Sequence, residues 1–95
     1  MAATAAADTE VVYQHSGSVL SLARLDSYVL SSSTSRKVIV SKLVEEERGA
    51  KIKLKTLQCI HTSNWVFHIG MEKVDGPKVS LCDGKGLVHL FTPVS

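Results

Sequence analysis

No apolar stretch in this chain approaches the roughly 18 to 20 residues that a membrane-crossing helix requires, so nothing in it is expected to span a bilayer. The alanine-rich opening lacks the basic start and the apolar core of roughly 7 to 15 residues that mark a secretion signal. A cytoplasmic or nuclear protein, not a secreted one, is therefore expected, with residues 1–9 as a flexible tail. Cysteine is scarce. Cys59 and Cys82 are the only two, and they form no CxxC pair, which suits reduced, buried and inert thiols. Charge of one sign is lacking too: 11 basic against 9 acidic residues leave a net +2, which announces neither a nucleic acid nor an anionic membrane.

The signatures of chemistry are also missing. No Gly-x-Ser-x-Gly elbow places a serine beside a base. Asp83-Gly84-Lys85-Gly86 lacks the spacing and the following helix of a phosphate-binding loop, and a hairpin turn explains it. The best cluster of metal-ligand types is Cys59-x-His61 with His68, Cys82 and His89. Alternation puts Cys59 and His61 on one side of a strand, but no C-x2-C or H-x3-5-H spacing accompanies them. No enzyme activity, cofactor, metal ion or small-molecule substrate is expected.

What is present is a succession of short runs rich in Val, Ile, Leu, Thr, Tyr and Phe, cut by Gly, Ser, Asp and Asn at strand-and-turn intervals. No segment carries a helical apolar stripe. Strands are predicted at residues 11–14 (VVYQ), 18–24 (SVLSLAR), 27–32 (SYVLSS) and 37–43 (KVIVSKL), then an acidic loop at 45–49. Residues 51–55 (KIKLK) alternate between lysine and aliphatic side chains, the pattern of a strand with one solvated face. Lysines blunt an exposed sheet edge, so this is expected to be an outer strand. Further strands are predicted at 65–71 (WVFHIGM), 78–82 (KVSLC) and 87–92 (LVHLFT).

The two halves repeat, approximately as residues 10–50 and 51–95. His15 answers to His61, 46 positions on. Val29-Leu30-Ser31-Ser32 answers to Val79-Ser80-Leu81-Cys82, and Val38-Ile39-Val40 to Val88-His89-Leu90. The period lies just beyond the roughly 40 to 45 residues of a WD40 repeat. The arrangement resembles the WD40 β-propeller family over residues 10–93. His15 and His61 match that family's histidine, Ser31, Ser32 and Ser80 its serine-rich strand, and Phe91 stands in the place of its tryptophan. The family's turn aspartate is replaced by Thr34 or Ser35 in the first repeat, Asp83 falls two residues early in the second, and Ser41 occupies the first tryptophan position.

The resemblance implies an all-β fold of antiparallel propeller-blade sheets, four strands from residues 18–60 and three from 65–92, with no ring closed within one chain. His15, His61, Ser32 and Phe91 are then structural. The implied function is a protein-protein interaction scaffold, with Arg36, Lys37, Asn64, Trp65 and Lys85 as candidate partner contacts on the loops of one face. For Trp65, burial between blades competes with interface contact. The implied partners are other proteins, the remainder of a longer propeller, or further copies of the chain lending residues 11–14 to a neighbour's incomplete sheet. Two other readings stand beside it: a nucleic-acid-binding β domain using Lys51, Lys53 and Lys55, and a truncated isoform without independent function.

Overall fold

The computed structural model describes residues 13–45 and 52–94. Among them are seven strands and no helix, so no helix is long and apolar enough to cross a membrane. The tail expected at residues 1–9, most of the acidic loop, and Lys51 lie outside the described residues.

The first antiparallel sheet runs in the order β1 (Val19–Leu25), β2 (Tyr28–Ser33), β3 (Lys37–Glu45) and β4 (Ile52–His61). β5 (Val66–Lys73), β6 (Pro77–Asp83) and β7 (Val88–Phe91) form the second. The fold is thus all-β, with four strands and then three, and the lysine-bearing β4 is an outer strand. The strand expected at residues 11–14 is not seen in its described part. Tyr13 and Gln14 are exposed and outside any strand, and their neighbours at 11 and 12 lie outside the described residues. A strand needs a neighbouring backbone to take up its N–H and C=O groups. Tyr13 instead sets its ring edge-on to His15, centroids 5.0 Å apart.

The two sheets pack face to face. Alternation sends Tyr28 and Leu30 of β2, with Val38 and Val40 of β3, to one side of the first sheet. There they meet Val66, Ile69, Val79 and Leu81 of the second sheet in one buried cluster, flanked by Ala23, Leu57, Ile60, Met71 and Phe91. Polar bonds cross the same junction: the Ser32 hydroxyl donates to the Val66 carbonyl at 2.8 Å, and the Ile69 N–H donates to the Ser21 hydroxyl at 3.2 Å. Ser32 is fully buried at this junction, and Phe91 packs half-buried against the core.

The internal repeat is written into the backbone. β1 carries one extra residue, Leu20, opposite β2, and β5 carries one, Phe67, at the corresponding place opposite β6. A bulge of this kind re-aims the side chains beside it. Each sheet then makes the same turn. The Thr34 N–H donates to the Ser18 carbonyl as the Gly84 N–H donates to that of Trp65, both at 2.9 Å. Arg36 and Gly86 both take positive φ, 63° and 83°. Ser33 and Asp83 are therefore equivalent. The equivalence follows because each repeat carries one bulge at the corresponding place, so the two ladders stay in step up to the turn.

Candidate interaction cleft

Four segments meet at one end of the two sheets: the loops leading into β1 and β5, and the turns β2–β3 and β6–β7. Backbone bonds tie them together, from Thr34 to Ser18, from Thr62 to the Arg36 carbonyl, and from Gly84 to Trp65, each 2.9 Å. Between them lies a cleft of about 370 Å³ lined by Arg36, Ser63, Asn64, Trp65, Phe67, Gly84 and Lys85. Four of the five expected contact residues, Arg36, Asn64, Trp65 and Lys85, thus line one cavity.

Its floor is aromatic. Trp65 is 45% exposed and Phe67 52%, with ring centroids 6.1 Å apart and planes inclined at 68°, the edge-to-face geometry that aromatic quadrupoles favour. Burial of Trp65 between the sheets does not occur, because the residue ends the loop just before the bulge. Phe67 was not singled out from the sequence. Simple alternation would place Trp65 and Phe67 on the face opposite Val66, and only the bulge decides where the extra ring goes. The sole hint was three successive large apolar residues, Trp65-Val66-Phe67, which no strand can bury on one face. Gly84 completes the fit: a Cβ there would stand 3.1 Å from Phe67 Cε2, so the turn backbone lies directly against the ring.

The turn beneath Lys85 is held by a carboxylate. Asp83 Oδ1 accepts from the Lys85 and Leu87 N–H groups at 2.9 and 3.0 Å, and Oδ2 meets His89 Nε2 at 3.1 Å. The His89 bond above all, then those amides, hold the Asp83 carboxyl below its ordinary value against the opposing effect of burial. In the first sheet the Ser33 hydroxyl does the same work with less, accepting from the Ser35 N–H at 3.2 Å. Asn64 is fixed by its neighbours, its carbonyl accepting from the Thr62 hydroxyl at 2.8 Å.

Other expectations fall elsewhere. Lys37, the fifth contact candidate, does not line the cleft. It pairs across the ladder with His61 and lies close enough to His15 to oppose its protonation. His15 is buried and bonds to the Ser31 hydroxyl at 2.7 Å. Burial, and secondarily the Lys37 charge, hold its imidazole below the ordinary value. His61 is placed differently. It ends β4 with an exposed side chain, its Nε2 3.9 Å from the Cys59 sulfur, because the pairing of Lys37 with His61 and of Ile39 with Cys59 puts both on the face of the first sheet away from the second.

The cysteines are corrected likewise. Cys59 is exposed and Cys82 half-buried, since both lie on faces the two sheets do not share. Among the described residues no three His, Cys, Asp or Glu side chains group as a metal site requires. Lys53 and Lys55 stand exposed on β4, with no exposed aromatic paired opposite either. No family model matches the chain, and no curated protein or solved structure matches it either.

Proposed function

We propose that this chain is a pair of WD40-like propeller blades serving as a non-catalytic protein-interaction module, and that a partner docks in the Trp65–Phe67 cleft. The observation that carries the reading is the pair of exposed, mutually oriented rings between turns from both sheets, with Arg36 and Lys85 alongside. Aromatic and arginine side chains dominate the energetics of protein interfaces, and rings held in place lose little entropy on binding. Among the described residues the lining includes no carboxylate or histidine, so those residues offer apolar area and positive charge, and no general base. A segment with an apolar anchor beside acidic residues is its complement. The blade reading is supported by the repeated bulge, the repeated turn and the four-stranded antiparallel unit.

Panning a displayed peptide library against the chain tests this. Selected peptides should carry an apolar side chain flanked by Asp or Glu, and Trp65→Ala with Phe67→Ala should abolish capture. Arg36→Ala with Lys85→Ala should leave binding weaker and less sensitive to salt. Full retention of every selected peptide by both double variants would refute the assignment.

A further inference from the structure

The large apolar side chains left on the surface are not scattered. Val88 and Leu90 of β7 are 70% and 73% exposed, and in the repeat they correspond to Val38 and Val40 of β3, which are fully buried against the second sheet. On the opposite side of the molecule, Val19 and Leu22 of β1 are 56% and 68% exposed. Their counterparts are Val66 and Ile69 of β5, buried against the first sheet. Each of these four exposed residues is therefore the equivalent of one that the junction between the sheets already covers.

The faces follow the same rule. The first sheet meets the second through the side bearing Ser21, Leu30, Ser32, Val38 and Val40, and the second sheet turns the equivalent side, with His68, Ser80, Cys82, Val88 and Leu90, outward. The second sheet meets the first through Val66, Ile69, Val79 and Leu81, and the first turns the equivalent side, with Val19, Leu22 and Val29, outward, with His15 lying over Ser31 on that side.

A third feature lies at the rim. A groove of about 500 Å³ runs beside β7, lined by Gln58, Ile60, His61, Leu81, Leu90 and their neighbours. Gln58 Oε1 is buried there without a hydrogen-bond partner. Among the described residues β7 pairs only with β6, so its outer backbone edge offers N–H and C=O groups to another strand.

We infer that a second copy of this chain docks head to tail on the β5–β7 sheet, its Val19–Leu22 face covering Val88 and Leu90 as the chain's own two sheets cover each other. The inference rests on the blade reading. The contact is heterologous, one face meeting a different one, so each copy keeps a free face at either end. By the same repeat, which matches His15 to His61 at the end of β4, the second copy's Tyr13 and Gln14 arrive beside β7. Two blades per chain would allow closed rings of about two to four copies, within the roughly four to eight blades such rings contain.

Sedimentation of the full chain over a concentration series, with far-UV circular dichroism at each point, tests the inference. The expected result is a mass of discrete multiples of 10.3 kDa that falls on dilution. Val88→Asp with Leu90→Asp removes one face and Leu22→Asp the other. All these positions are exposed, so each variant should keep its sheets and sediment as a monomer. Mixing the two should restore a one-to-one dimer and nothing larger, because one good face of each kind remains. In a Cys59→Ser background, Val19→Cys should crosslink through a short bismaleimide to Cys82 of a neighbour, since their equivalents Val66 and Ser32 are in contact. A monomer at all concentrations with its β spectrum intact would overturn the second copy as occupant while leaving the blade reading standing. So would variants that fail to complement each other. Loss of the β spectrum in the unmodified chain would defeat both.

Discussion

Val38 and Val88 are the same residue at equivalent positions of the two sheets, one fully buried and the other mostly exposed. Replacing each by alanine isolates what coverage contributes. At Val38 the change removes two carbons from the core, worth about 0.8 kcal/mol each in transfer free energy. A cavity of roughly 50 Å³ adds about 1 kcal/mol more at about 24 cal/mol per Å³. The expected loss is therefore about 2 to 3 kcal/mol, a large share of the roughly 5 to 14 kcal/mol that a chain of this size commands. At about 4 to 8 °C per kcal/mol the midpoint should fall by roughly 8 to 24 °C. Val88→Ala, at a site open to solvent in the single chain, should change stability by no more than about 0.5 kcal/mol. Urea titration followed by Trp65 fluorescence and circular dichroism, at concentrations where the chain sediments as a monomer, gives both values. Equal losses would refute the reasoning, since the two sites differ in coverage and not in chemistry. In the associated state the inequality should shrink, because Val88 then becomes the covered residue.

The Asp83 carboxyl is held below its ordinary value in the fold, so the stability it contributes is fully present above about pH 4 and is lost as pH falls through its lower folded value. Asp83→Asn should flatten that acid limb in thermal melts between about pH 5 and 2, and an unchanged limb would show that the His89 and amide bonds do not act as described. His15 is also lowered, but as a base it is favoured neutral in the fold. Its contribution is fully present above about pH 6.5 and declines as pH drops below that value, where the unfolded chain takes up the extra proton. Melts of the unmodified chain and of His15→Gln should separate at pH 7 and converge toward pH 5. Gly17→Ala should destabilise by about 1 to 3 kcal/mol, because an added Cβ runs into Thr34 Oγ1, which already accepts from the Ser18 N–H. Denaturation of Gly17→Ala with Thr34→Ser and alone reads the cost, and a neutral Gly17→Ala would contradict the packing of that loop.

The strands were legible because a half-buried strand must alternate and because Gly, Asp and Ser punctuate turns. That is why the lysine run was read as an outer strand and Asp83-Gly84-Lys85-Gly86 as a turn. Four of the candidate contact residues were legible for the same reason: they stand in the turns and loops the pattern located. Lys37 stands apart from the cleft because it is the first residue of β3, where one step along the backbone reverses the side chain. Phe67 was missed because a bulge decides its direction, and a bulge leaves no residue signature beyond an apolar excess. His61 resembled His15 in position along the repeat, yet one lies buried over Ser31 and the other projects from the end of β4.

By itself, then, the sequence determined that this chain makes two repeats of short antiparallel strands, because period-two alternation and turn chemistry are local properties of the backbone. Tertiary structure alone decided which face of each sheet is covered. Alternation gives each strand two sides but cannot say which side meets a neighbour, and that choice depends on contacts between residues tens of positions apart. It is what buries Val38 and leaves Val88 open.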